Sequence, residues 1–259
     1  MLNITPIPAF SDNYIWMLQR TGSQSVVLVD PGETRRIMRL VDEQGIVPVA
    51  MLITHHHGDH VGGITQLLEK FPDMIVYGPA NENIPGITHR LKQNDYIHIA
   101  ELDTSFQVLD VPGHTRGHIA YYGEGVLFCG DTVFACGCGR LFEGTPEQMT
   151  DSLNKISALP PATKIYCAHE YTLSNIGFAH WVEPDNEDLL QRDDEDMAKQ
   201  EKGIPTVPST LDLELKTNPF LRYRVPVVKQ AAEKFAGKKL NTDAEVFAAI
   251  RSWKDTEYD

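Results

Sequence analysis

Seven side chains in this 259-residue chain have the types and spacing of a metal centre: His55, His57, Asp59, His60, His114, Asp131 and His169. Four of them fall in one run, Ile53-Thr-His-His-His-Gly-Asp-His-Val-Gly-Gly63. Histidines two apart on an extended loop point the same way, so His55 and His57 can grip one ion. Asp59 and His60 precede Val-Gly-Gly-Ile-Thr-Gln-Leu-Leu, which reads as the start of a helix. Their different direction suits a second ion nearby. His114 can complete the first set, His169 the second, and Asp131 offers a carboxylate able to bridge. Each ion then has three or four protein ligands and open positions, as a catalytic centre needs. Imidazole with carboxylate suits zinc, iron or manganese. His118, in Pro112-Gly-His-Thr-Arg-Gly-His118, reads as an orienting partner behind the ligands. His56 alternates away from its neighbours and, like His89, His98 and His180, reads as an ordinary histidine.

The elements that must position these groups are short strands. Val26-Val-Leu-Val-Asp-Pro-Gly32, Val49–Thr54, Met74–Tyr77, Phe106–Val111, Val126–Cys129 and Lys164–Cys167 are rich in β-branched or aromatic residues and are closed by turn or polar residues. The donors share one placement, just past the carboxyl ends of strands, where open α/β sheets put their ligands. Thr145-Pro-Glu-Gln148 predicts a capped helix start, with Met149, Leu153, Ile156 and Leu159 at helical spacing behind it. After about residue 172 helices take over. Pro226 to Gly237 carries a stripe of Val228, Ala231, Ala232 and Phe235, and Thr242-Asp-Ala-Glu245 opens a last helix through Phe247, Ile250 and Trp253. A catalytic domain over 1–172 and a helical domain over 173–259 are expected.

Bulk composition narrows the function. The net charge of −13 argues against nucleic acid, whose binding requires neutralised phosphates. Residues 183–201 hold nine acids against two bases and read as a solvated acidic helix or loop. No apolar run of about 18 residues predicts a membrane span, and Met1-Leu-Asn-Ile-Thr-Pro does not read as a secretory signal. A cytoplasmic monomer with four reduced structural cysteines is therefore expected.

The His55-x-His57-x-Asp59-His60 signature with His114, Asp131 and His169 resembles the five-motif metal site of the metallo-β-lactamase superfamily. That resemblance implies an α+β, four-layer αββα sandwich with the site at one edge and, here, a C-terminal helical domain. Phe10-Ser-Asp-Asn-Tyr14, Cys136-Gly-Cys-Gly-Arg-Leu-Phe-Glu-Gly-Thr145, Ala168-His-Glu-Tyr-Thr172 and Thr217-Asn-Pro-Phe-Leu-Arg222 are similar to the glyoxalase II (hydroxyacylglutathione hydrolase) family. The family resemblance implies a thioesterase that acts on S-(2-hydroxyacyl)glutathione, such as S-D-lactoylglutathione, in methylglyoxal detoxification. It implies attack by a hydroxide shared between two divalent ions, zinc first, with Asp59 and Asp131 as the catalytic carboxylates. It also implies glutathione contacts at Arg140, Phe142, Tyr171, Arg251 and Lys254. Phe142 lacks the hydroxyl that family members with tyrosine there use, so packing is its expected role. Arg251 and Lys254, three apart on a helix, share a face and with Arg140 would make a local cationic pocket. The rival readings are a mononuclear-iron persulfide dioxygenase, a nuclease of the same fold, and a metal-binding module without activity. The complete second-ion set disfavours the first, the charge the second, and the open coordination positions the third.

Overall fold

The computed structural model describes residues 1–258. Its backbone contacts divide the chain into two compact units. The first comprises residues 1–110 and 115–130, the second 111–114 and 131–259.

The first unit contains β1 (Leu2–Ala9), β2 (Asn13–Arg20), β3 (Ser25–Val29), α1 (Arg35–Gln44), β4 (Val47–Leu52), α2 (Gly58–Val61), α3 (Ile64–Lys70), β5 (Ile75–Pro79), β6 (His89–Leu91), β7 (Tyr96–Ile99), β8 (Thr104–Asp110), β9 (Ile119–Gly123) and β10 (Val126–Gly130). One sheet runs β1-β2-β3-β4-β5-β6. Its first three strands are antiparallel, and β3 to β6 are parallel to one another. A second set, β7-β8-β9-β10, is an antiparallel meander. Val26, Val27, Leu28 and Val29 are all buried, so both faces of β3 are covered and the strand reads as an unbroken apolar run. One face packs Val26, Leu28 and Met51 with Ile37 of α1 and Ile64 and Leu67 of α3.

β1 is absent from the sequence-based expectation because Pro6 and Pro8 punctuate it. It tolerates them as the edge of its sheet, where no ladder partner is lost on the open side.

The second unit contains β11 (Val133–Phe134), β12 (Gly137–Cys138), α4 (Pro146–Ser157), β13 (Lys164–Cys167), α5 (Thr172–Val182), α6 (Glu187–Gln200), β14 (Ser209–Thr210), α7 (Leu211–Thr217), α8 (Pro226–Ala236) and α9 (Asp243–Trp253), with a single π turn over Lys254–Tyr258. The expected capping boxes form at Thr145 with Gln148 and at Thr242 with Glu245. The acidic stretch is a helix, as one of its two expected forms, but it is not wholly solvated. Arg192 of α6 is buried, pairing with Asp196 at 3.2 Å and with Glu214 of α7 at 2.7 Å, while Nη1 donates to Thr217. Two buried acids against one buried cation need this geometry, since removing one partner strands a charge.

Candidate metal and substrate site

In the first unit, strand β4 ends at Leu52 and delivers Thr54 and His55 into the interior. His55 and His60 are buried, and His57 and Asp59 are half-buried. The His55 ring lies 4.7 Å from that of His57 and 4.0 Å from that of His60, centroid to centroid. The expected helix start is present: α2 begins at Gly58 and carries Asp59 and His60.

A buried carboxylate in the turn after β3, absent from the sequence-based donor set, organises this run. Asp30 follows β3 with a left-handed φ of 50°. It accepts from Thr54 N at 2.8 Å and Thr54 Oγ1 at 2.7 Å, and it faces His60 Nδ1 at 3.0 Å. An ionised carboxylate only accepts, so His60 carries its proton on Nδ1 and presents the Nε2 lone pair. Thr54 Oγ1 spends its one O–H on the hydrogen bond to Asp30 and therefore accepts from His55 Nδ1 at 3.0 Å. One carboxylate thus sets the tautomer of two histidines, the usual duty of a group behind metal ligands. Ligand atoms of Asp30, His55 and His60 lie within 4.8 Å of one another. Asp59 Oδ2 accepts from Asn13 Nδ2 at 2.9 Å. His118 stacks on His55, with centroids 4.5 Å apart and planes 17° apart, and its Nδ1 bonds the Ile119 carbonyl. His56 points away to Glu82 at 3.1 Å.

The close approach of the turn after β3 explains Gly32. A Cβ there would lie 1.8 Å from the Asp59 carbonyl oxygen, so no other residue fits without moving the donor run.

In the second unit, His114, Asp131 and His169 are buried together. The same carboxylate oxygen, Asp131 Oδ2, lies 3.4 Å from His114 Nε2 and 3.4 Å from His169 Nε2. Donors about 2.0–2.1 Å from one tetrahedral ion are separated by about 3.4 Å, so this spacing fits a shared metal shell. His114 Nδ1 meets the Arg140 carbonyl at 2.8 Å, which again places the proton on Nδ1 and the lone pair on Nε2.

A cavity of about 530 Å³ opens in this unit. His114 and Asp131 line it with Arg140, Phe142, Tyr171, Arg251 and Lys254, the five residues expected for substrate, and Cys138 adds to the wall. Tyr171 stacks on His169, with centroids 4.8 Å apart and planes 10° apart. Phe142 is exposed and meets His114 edge-on. Arg251 is buried, donating through Nη1 to the Cys138 carbonyl and through Nη2 to Asp255 Oδ1 at 2.8 Å. Burial acts against its charge, yet Cys138 and Asp255 outweigh burial and hold the guanidinium above its ordinary range. Asp255 also sits 3.5 Å from Arg140, a carboxylate that the sequence-based pocket of three bases did not include. The cysteines are reduced and buried, as expected. Burial pushes the Cys136 thiol up to about 12, Cys138 to about 11 and Cys167 to about 12.

The profile of the Metallo-beta-lactamase superfamily matches residues 10–169, which fixes the class of fold to which this α+β chain and its donor run belong. The profile of the Hydroxyacylglutathione hydrolase C-terminus matches residues 170–257. A "Hydroxyacylglutathione hydrolase" of Nitrosomonas eutropha is 49% identical over 255 residues, covering 98% of this chain and 99% of the relative. The chain belongs to the hydroxyacylglutathione hydrolase family of metallohydrolases. Among solved structures, ETHE1 from Myxococcus xanthus superposes with a TM-score of 0.67 at 21% identity, covering 100% of this chain and 93% of that one. TTHA1623, solved in a di-iron-bound form, gives 0.59 at 26% identity over 83% of this chain and 99% of its own. The two profiles meet at 169/170, whereas the second compact unit takes in residues 111–114 and everything from 131 onward.

Proposed function

We propose that the protein hydrolyses S-(2-hydroxyacyl)glutathione thioesters, S-D-lactoylglutathione among them, to glutathione and a 2-hydroxy acid. The observation that carries this reading is a single cavity lined at once by metal-type donors, His114 and Asp131, and by Arg140, Arg251 and Lys254. Relatives near 49% identity over nearly the whole chain bear the name of that activity.

Two divalent ions would be held by His55, His57 and His114 and by Asp59, His60 and His169, with Asp131 between them. The donor chemistry fits zinc most readily and accepts iron or manganese, and a relative with two irons supports the count. When bound, the ions would supply Lewis acidity at the thioester carbonyl and lower the pKa of water. The chain's own residues do the rest. Lys254 and Arg140 offer cations to the glutathione carboxylates, with Arg251 bracing the wall through Cys138. Tyr171 and Phe142 give apolar cover beside His169 and His114. Asp59, fixed by Asn13, orients the attacking water. The leaving thiolate, with a pKa of about 8.5 by analogy with cysteine, departs without a proton donor. A mononuclear-iron oxidation would leave Asp59, His60 and His169 without a task.

The domain division in this reading is 1–172 for catalysis and 173–259 for glutathione, with Arg140, Phe142 and Tyr171 contributing from the first. We place the enzyme in the cytoplasm as a monomer. Among the described residues no helix is long and apolar enough to cross a membrane.

Purified protein should turn over S-D-lactoylglutathione with about two metals per chain, and Lys254→Ala should raise KM about tenfold with kcat little changed. Absence of turnover by metal-loaded protein, or full turnover after chelation, would remove this reading.

A further inference from the structure

Lys254 lines the cavity yet is buried, which is unusual for a flexible ammonium. Two rings flank it. Its Nζ lies 5.9 Å from the centroid of Phe178 and 5.3 Å from that of Tyr258. Phe178 belongs to α5 and is fully buried. Tyr258 closes the π turn that begins at Lys254 itself, and it meets Phe178 at 5.6 Å and Trp181 edge-on at 5.0 Å.

The floor of this arrangement is Gly177 of α5. A Cβ there would lie 2.1 Å from the Tyr258 hydroxyl oxygen and 3.3 Å from Cζ. Glycine inside a helix is otherwise a cost, because alanine is the better helix former. Its presence here makes room for Tyr258.

We infer that Tyr258, seated over Gly177, is a positioning residue that holds Lys254 in the orientation that receives the anionic end of the substrate. The inference rests on the assignment of Lys254 to glutathione binding above. A lysine whose ammonium is already held beside two rings loses less freedom when a carboxylate arrives. Nothing in this role touches the reacting atoms, so it should act on binding alone.

The test uses full-length metal-loaded protein and two readouts. The first is KM and kcat for S-D-lactoylglutathione. The second is the rate at which an amine-acylating reagent modifies Lys254, followed by mass spectrometry. Tyr258→Ala should raise KM about fivefold with kcat within about twofold, and speed labelling of Lys254. Tyr258→Phe keeps the ring and should behave as wild type in both. Gly177→Ala should reproduce Tyr258→Ala, although the substitution by itself favours the helix. Placed in the Tyr258→Phe background, where the clashing hydroxyl is gone, Gly177→Ala should have a much smaller effect.

Unchanged labelling in Tyr258→Ala overturns the seat. Faster labelling with unchanged KM overturns its link to substrate, as does a fall in kcat that matches the rise in KM. If wild-type protein fails to turn over the thioester, the proposed function falls, while the labelling series still decides whether Tyr258 positions Lys254.

Discussion

The donor run of the first unit and the cavity of the second are built in opposite ways. His55, His57, Asp59 and His60 lie within six residues of one another, on one loop and one short helix. The cavity gathers Arg140, Phe142, Tyr171, Arg251 and Lys254 from a span of more than a hundred residues. The run is held by a few hydrogen bonds radiating from Asp30. The cavity wall is held by aromatic packing and a buried ion cluster, in which Glu214 accepts from Cys136 N and from Asn218, and Arg192 anchors Glu214. Four of the seven metal-type donors sit close together in the chain, where little loop-closure entropy separates them, whereas His114, Asp131 and His169 are gathered by the packing of the second unit. Groups that recognise a large flexible ligand need breadth, and only tertiary packing supplies it.

That contrast can be broken by substitution. The largest effect is expected from Asp131→Asn, which weakens the shared oxygen between His114 and His169. Thioesterase activity should fall by more than about a hundredfold, with fewer than two metals per chain by elemental analysis. Two tightly held metals and full activity in that variant would defeat the bridging role. Next comes Asp30→Asn, in which an amide can face His60 Nδ1 with a donor and undo the tautomer. Metal affinity should drop about 10–100-fold, measured by competition with a chelator, while KM with saturating metal stays near that of wild type. A change in KM of comparable size would show that the two regions are not separable.

Alkaline titration probes the second unit through its thiols. Cys136, Cys138 and Cys167 all lie there, and each has a folded pKa raised above its ordinary value near 9. The folded state therefore keeps protons that the unfolded chain gives up. The stability from these neutral thiols is complete below about pH 9 and is lost as pH climbs towards 11–12. Urea midpoints should fall between about pH 8 and about pH 10.5, and Cys136→Ala should show a shallower fall. Equal slopes in the two proteins would exclude that thiol. The smallest effect is expected from Phe142→Tyr, which adds one hydroxyl at the mouth of the cavity. KM should fall about threefold with kcat unchanged; an unaltered KM would confine this position to packing.

The same contrast explains what could be read without coordinates. The donor run announces itself because five ligand-type residues in six positions have no other economical explanation, and the strand cores before the donors, such as Val126–Cys129, are apolar runs. Asp30 gives no cue of its own because Val-Asp-Pro-Gly also spells an ordinary strand-to-turn ending; its signal, an acid directly after an all-buried strand, carries meaning only beside His60. Asp255 and the Arg192–Glu214 pair were hidden for a different reason. Their partners lie up to 115 positions away, as Asp255 does from Arg140, and composition sees only surplus acid. The left-handed Cys136, whose N–H reaches Glu214, likewise gives no local cue, since glycine rather than cysteine usually marks such a bend.

The contact between Gly32 and the Asp59 carbonyl has a kinetic consequence. Beside that contact, Gly63 N–H donates to the Pro31 carbonyl at 2.8 Å and Asp30 accepts from Thr54 N at 2.8 Å, so the turn behind β3 cannot swing outward without carrying the donor run along. Amide hydrogens of the two segments should therefore exchange with deuterium in a single opening event, at one shared rate, rather than fraying independently as surface loops do.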